Sequence, residues 1–348
     1  ELLDLLSQGP RTVEVLADMA AITVGNASQH LKILRAARLV EAQKQGLYVE
    51  YRLADEEVAN FFVALRTLAR SRLAEVERFT REYLDRRSAL EAVEGDELVR
   101  RGRSGEGTVL DVRPSEEYEA GHIPGARVVL WRDLTAARDG VPNELPPVER
   151  LVDLFSGAGV GPDTRVVLYG DEAGLFAARA WFTLDYLGHD RASLLDGGLE
   201  KWRAEGRGPQ TRPPPPRPAA DFVATVVPSR VTDLEPVRDA SWLLQHGGQG
   251  IALVDARPRA QFTGEEPGEG IDRPGHIPGA VNLFWKDALV SPELPVLRPV
   301  EELREMYRQA GIEPGETVIT YCRTGGQASH SYFVARLLGH PTAMYDGS

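Results

Sequence analysis

Apolar residues recur at three- and four-residue steps through the first 90 positions and then shift to short continuous runs. That change of period divides the chain into a helical part and a part where strands alternate with helices. Leu2, Leu3, Leu5 and Leu6 predict a helix that Gly9-Pro10 ends. Thr12 is placed to cap a second helix carrying Val13, Leu16, Ala17 and Met19, and Thr23 to cap a third over 24–37 with Leu31 and Leu34 inward. Strand-like runs around 40–44 and 48–53 flank Gly46 and predict a hairpin. Segment 56–86 sets Val58, Phe61, Phe62, Leu65, Leu68, Leu73, Val76, Phe79 and Tyr83 at helical steps, a stripe that needs a partner surface.

Past residue 90 the pattern occurs twice. Val109-Leu-Asp-Val-Arg-Pro114 with Gly121-His-Ile-Pro-Gly-Ala126 returns as Leu253-Val-Asp-Ala-Arg-Pro258 with Gly275-His-Ile-Pro-Gly-Ala280. Leu187-Gly-His189 returns as Leu338-Gly-His340, and Asp196-Gly197 as Asp346-Gly347. A period this long predicts two homologous α/β domains, each with a largely parallel sheet. The expected organisation is 1–90, 91–210, a Pro-rich linker over 211–230, and 231–348.

The second copy contains the stretch that carries chemistry. Thr317-Val-Ile-Thr-Tyr321 reads as a buried strand, Cys322-Arg-Thr-Gly-Gly-Gln327 as a tight loop, and Tyr332, Phe333, Leu337 and Leu338 as a helix. Backbone N–H groups of such a loop, backed by a helix N-terminus, stabilise an anion and are expected to lower the thiol pKa, making Cys322 a nucleophile. Aligning the Leu-Gly-His motifs sets Asp171 opposite Cys322, and a carboxylate there accepts no sulfur. His122 and His276 read as turn residues, Asp111 and Asp255 as strand ends, and the five tryptophans as packing.

Composition narrows the classes. One cysteine in 348 residues excludes an internal disulfide framework and a multi-cysteine metal site, and nothing in the sequence calls for a cofactor or resident metal. No apolar run is long enough to span a bilayer and no signal peptide is visible, so the expected compartment is the cytoplasm. Glu1–Leu6 reads as mid-helix and Tyr345–Ser348 stops inside a motif, so both ends are expected to be truncated. The net charge is −12, yet residues 1–90 hold 13 Lys/Arg against 13 Asp/Glu, so the acidic excess lies beyond them. Nucleic acid therefore stays a candidate partner for the N-terminal part.

Ala27-Ser-Gln-His-Leu-Lys-Ile-Leu34, Leu39-Val-Glu41 and Gly46-Leu-Tyr-Val-Glu-Tyr-Arg-Leu53 resemble ArsR-type winged-helix regulators. The resemblance implies an α-rich winged helix-turn-helix domain with Asn26, Ser28, Gln29, His30 and Lys32 at the major groove of double-stranded DNA and Lys44 and Arg52 near phosphates. The residues themselves add Arg35, on a helix without acidic side chains. The family's dimerisation helix corresponds to 56–86, which implies a homodimer. With no cysteine and one histidine here, metal sensing is not expected.

The duplicated motifs, the Cys322 loop and the Asp-Gly-Gly turn together resemble the tandem rhodanese family of sulfurtransferases. That implies two rhodanese-like domains, the first inactive. It also implies a ping-pong cycle: thiosulfate loads Cys322 as a persulfide, and cyanide or a thiol removes the sulfur. Arg323, Thr324, Gly325, Gly326, Gln327 and Arg257 would hold the substrate. Arg323 directly after the cysteine resembles thiosulfate enzymes, whereas a Gly-Ser pair would resemble 3-mercaptopyruvate sulfurtransferases. Two further readings stand beside thiosulfate transfer: an ArsR-type regulator that senses reactive sulfur at Cys322, and mercaptopyruvate as donor.

Overall fold

In the computed structural model the described residues are 2–7, 9–20, 22–45, 48–55, 58–61, 92–93, 95, 98, 107–138, 140–170, 172–215, 218–266, 271, 273–291 and 295–347. The chain divides into two compact units, Glu1–Leu73 and Ala74–Ser348. The expected domain boundary at 90, and nearly all of the expected dimer helix 56–86, lie outside the described residues.

In the first unit α1 (Leu2–Ser7), β1 (Arg11–Thr12), α2 (Val13–Met19) and α3 (Val24–Ala36) precede the hairpin of β2 (Val40–Gln45) and β3 (Tyr48–Leu53). Thr23 caps α3 by accepting a hydrogen bond from Asn26 N at 3.2 Å. The Thr12 side chain makes no such bond to α2. Instead Arg11 and Thr12 pair antiparallel with Tyr51 and Glu50, a third strand that two residues were too short to announce. Leu2, Leu6, Leu16, Ala20, Leu31 and Val40 form the core.

The second unit begins with β4 (Ala92–Val93), β5 (Thr108–Asp111), α4 (Ser115–Ala120), β6 (Arg127–Val128), a small hairpin of β7 (Ala136–Arg138) and β8 (Val141–Glu144), and α5 (Val148–Gly157). Then come β9 (Val166–Tyr169), α6 (Leu175–Tyr186), β10 (Ala192–Leu195) and α7 (Gly198–Ala204). The second repeat holds β11 (Val231–Thr232), α8 (Leu234–Gln245), β12 (Ile251–Asp255), α9 (Arg259–Thr263), β13 (Val281–Asn282), α10 (Val300–Gln309), β14 (Thr317–Tyr321), α11 (Gly326–Leu337) and β15 (Thr342–Tyr345). Among the described residues each repeat forms a five-stranded sheet of one topology, β4-β10-β9-β5-β6 and β11-β15-β14-β12-β13. Every pairing in both is parallel.

Parallel strands are buried on both faces, which is why β9 and most of β14 read as unbroken apolar runs. The central helices α6 and α11 are buried along most of their length and so show no amphipathic stripe. They pack on each other through aromatic edges: Trp181 meets Phe333 and Phe182 meets Tyr332, each at 4.9 Å between ring centroids. One hydrophobic core thus runs through both repeats and takes in Cys322. The linker is extended as expected and is tied to the first repeat. Phe222 is buried in that core, and Thr225 N donates to Leu187 O at 2.8 Å.

Candidate active site

β14 is bracketed by β12 and β15, so its C-terminal end is fixed at mid-sheet. Cys322 follows it directly, and α11 opens four residues later. The chain can reverse in so short a loop because Gly325 takes a left-handed φ of +76°. Ser329 Oγ donates to Gly325 O at 2.6 Å and Thr320 Oγ1 to Ala328 O at 3.1 Å, tying the loop to the helix and strand it joins. Arg323 and Thr324 are exposed, Gln327 is half-buried, and Gly325 and Gly326 are buried.

Ala328 N–H donates to Cys322 Sγ at 3.4 Å. The amides of Thr324, Gly325 and Gln327 also donate to the sulfur, the ring of N–H groups expected from the loop. The expected fall in thiol pKa is corrected by the structure. Cys322 is 2% exposed within an apolar cluster, and burial pushes its pKa up while the four amides pull it down. Desolvation outweighs hydrogen bonding because a thiolate loses its whole hydration shell there. The amide ring therefore makes negative charge on this sulfur tolerable, without making the resting thiol acidic.

Arg257 is held by the strand end and the turn beside it. Its Nε and Nη2 donate to Asp255 at 2.9 and 2.6 Å, and Nη2 donates to Gly275 O at 2.7 Å. Arg113 makes the same contacts with Asp111 and Gly121 O in the repeat that has no cysteine. This arginine clamp therefore belongs to the fold, although its charge lies near enough to Cys322 for the two to interact. His122 and His276 are turn residues, with Nδ1 at 2.8 Å from Tyr118 O and 2.9 Å from Phe262 O respectively.

Strand register refines the alignment of the two loops. Asp111 pairs with Tyr169 as Asp255 pairs with Tyr321, so Gly170 is the first residue after the strand where Cys322 stands in the other repeat. Counting back from the helices gives Asp171, because the first loop is one residue longer; Asp171 lies outside the described residues. Neither residue carries a thiol.

The first repeat also contributes residues that sequence reasoning passed over. An added Cβ on Gly326 would meet Trp131 and Leu175 at 3.3 and 3.2 Å, so both walls press on the start of α11. Arg179 of α6 is fully buried and pairs with Asp346 at 2.6 Å, beside Gly325. The sole sequence signal was that position 179 of α6 corresponds to position 330 of α11. His330 is itself buried, lies edge-on to Trp285 at 5.1 Å, and has its pKa lowered to about 4 by desolvation.

In the first unit Asn26, Ser28, Gln29, His30, Lys32 and Arg35 are all exposed on α3, and Lys44 is exposed on β2. Arg52 is also exposed but pairs with Glu41 at 3.0 Å, an ion pair that a phosphate contact has to displace. Among the described residues no helix is long and apolar enough to cross a membrane.

Comparison with known proteins accords with these features. Residues 94–205 and 239–348 each match the rhodanese-like domain, and residues 1–42 match the bacterial regulatory protein, arsR family. The chain is 39% identical over 245 residues to the sulfur carrier protein TtuD of Thermus thermophilus, covering 66% of this chain and 82% of that one. It is 36% identical over 240 residues to a Saccharopolyspora erythraea protein named "Putative thiosulfate sulfurtransferase", covering 66% and 81%. Among solved structures, the 3-mercaptopyruvate sulfurtransferase-type SseA of Escherichia coli superimposes with a TM-score of 0.65 at 27% identity, over 74% of this chain and 98% of that one. With the same fold twice over and a cysteine loop in the second copy, the chain belongs to the rhodanese sulfurtransferase family, carrying two rhodanese-like domains behind an N-terminal arsR-family helix-turn-helix domain.

Proposed function

We propose that the protein transfers sulfane sulfur from thiosulfate through a persulfide on Cys322. The observation that carries this reading is the ring of four backbone N–H groups around the Cys322 sulfur. Such a ring favours negative charge on whichever sulfur occupies it, first the thiolate and then the terminal persulfide. The thiolate attacks the outer sulfur of thiosulfate; a new S–S bond forms, the S–S bond of the donor breaks, and sulfite leaves with the bonding pair and takes up the thiol proton. Cyanide or a thiolate then attacks the outer persulfide sulfur and returns the Cys322 thiolate. Arg323, exposed next to the nucleophile, supplies charge and paired donors for a dianion, which favours thiosulfate over the monocarboxylate mercaptopyruvate. Burial and the raised pKa of the resting thiol both lower its susceptibility to oxidation.

A second reading rests on the exposed α3 face. Lys32 and Arg35 point to solvent beside Asn26, Ser28, Gln29 and His30, a surface suited to duplex DNA. On this reading the protein is a DNA-binding regulator, dimeric through 56–86 and residing in the cytoplasm, whose rhodanese part reports reactive sulfur.

Intact-protein mass spectrometry after thiosulfate, and again after cyanide, tests the first reading. The protein should gain one sulfur on the Cys322 peptide and lose it to cyanide, and C322S should gain none. Undiminished turnover in C322S overturns the assignment, and loading from mercaptopyruvate alone transfers the donor role to that compound.

A further inference from the structure

We infer that Arg179, a residue of the cysteine-free first repeat, is a positioning residue of the Cys322 loop; the inference rests on the sulfur-transfer reading of that loop. Arg179 is fully buried in α6. Its Nη1 donates to Asp346 Oδ1 at 2.6 Å, and its Nη2 to Asn143 O at 3.0 Å and Asp346 Oδ2 at 3.3 Å. Asp346, on the Asp-Gly turn after β15, also accepts from Leu145 N at 2.6 Å, so it is fastened to the first repeat twice. The guanidinium lies directly against the loop: a Cβ on Gly325 would come within 2.7 Å of Nη1 and 3.3 Å of Asp346 Oδ1. Gly325 is one of the residues whose amides face the Cys322 sulfur, so the pair braces the backbone that forms the anion ring.

The two repeats supply an internal comparison. The backbone contact is duplicated, because Leu297 N donates to Asp196 Oδ1 at 2.9 Å as Leu145 N does to Asp346. Asp196 has a cation of its own, Lys201 at 4.0 Å, but that lysine comes from α7 of the same repeat. The cation supplied by the central helix of the other repeat is what is not duplicated among the described residues. Arg179 and His330 are each the fifth residue of their helices, and His330 lies against the cysteine-free loop of the first repeat, lining a small cavity with Gly174, Asp196 and Gly197. A permanent charge thus stands behind the loop that holds a sulfur anion, and an imidazole kept neutral by burial stands behind the loop that does not. Among the described residues Arg179 Nε, which is buried, finds no hydrogen-bond partner, so the side chain is held in place despite a desolvation penalty. The first repeat is on this view a working part of the second repeat's site.

The test compares R179M with R230M in the full chain. Arg230 is also buried and pairs with Asp185 at 2.9 Å, but that pair touches the far ends of α6 and α11. Two readouts are needed: the pH dependence of Cys322 alkylation by iodoacetamide, and kcat and KM for thiosulfate with cyanide as acceptor. In R179M the alkylation midpoint should rise by about one pH unit and kcat should fall about tenfold or more, with KM for thiosulfate changed less than about threefold. R230M should lose comparable thermal stability and keep the wild-type midpoint. D346N, which retains the volume and the contact with Leu145 N and serves if R179M does not fold, should move the midpoint the other way, because it leaves the buried guanidinium uncompensated beside the loop. Midpoints in R179M or D346N that coincide with wild type overturn the inference. If the midpoint moves but wild type never takes up sulfur, the sulfur-transfer reading fails and the positioning role stands.

Discussion

Replacing Gly325 with alanine tests the fit between the loop and its brace, and a second glycine calibrates the result. Gly325 and Gly339 have similar left-handed φ values, +76° and +88°, so alanine at either incurs about 1–2 kcal/mol of backbone strain. At Gly339 the new methyl meets nothing within 4 Å. At Gly325 it meets Arg179 Nη1 at 2.7 Å, too close to be tolerated without movement. A flexible arginine would normally swing aside, but this one is fully buried and bonded to Asp346 and Asn143 O. Moving it breaks a buried ion pair, a loss of about 3–5 kcal/mol if complete and less if the loop yields instead. G325A should therefore cost about 2–4 kcal/mol more than G339A, and it should slow sulfur transfer where G339A does not. Urea unfolding followed by tryptophan fluorescence measures this cleanly, because all five tryptophans (131, 181, 202, 242 and 285) lie in the second unit and the winged-helix unit is silent. Equal costs for the two variants would refute the reasoning, since they would show that Arg179 yields freely to the loop.

Two other outcomes are open to measurement. His330 has its pKa lowered from 6.5 to about 4, so between those values the unfolded chain binds a proton that the folded one refuses. Its contribution is fully present above pH 6.5 and falls as pH drops toward 4, by about 2 kcal/mol at pH 5. H330Q should flatten the stability curve between pH 7 and 5 by that amount, and an unchanged slope would mean that the imidazole titrates normally. For the winged helix, K32A/R35A should weaken duplex DNA binding and reduce the salt dependence, with the slope of log K against log salt shallower by about two. A slope equal to wild type would remove both side chains from the phosphate contacts.

What could be read in advance depended on the length and separation of the signals. The hairpin over Val40–Gln45 and Tyr48–Leu53, the helix capped by Thr23, and the strand-loop-helix around Cys322 were legible because each is local and amphipathic or uniformly apolar. β1 was not legible, since a two-residue strand exists only by pairing with β3. The clamp that Arg257 makes with Asp255 was not legible for a similar reason: only its copy at Arg113 and Asp111 shows that it belongs to the fold.

The sequence by itself determined the division into a winged helix and two α/β repeats, and the position of the one thiol at a strand-to-helix loop. These follow from hydrophobic period, glycine placement and internal repetition, all local properties of the chain. The tertiary structure alone decided that Cys322 is buried with a raised pKa, and that the first loop is one residue longer. It alone placed Arg179 and Asp346, 167 residues apart, against Gly325. Desolvation and cross-repeat contacts depend on which surfaces close over one another, and residue spacing along a chain does not encode that.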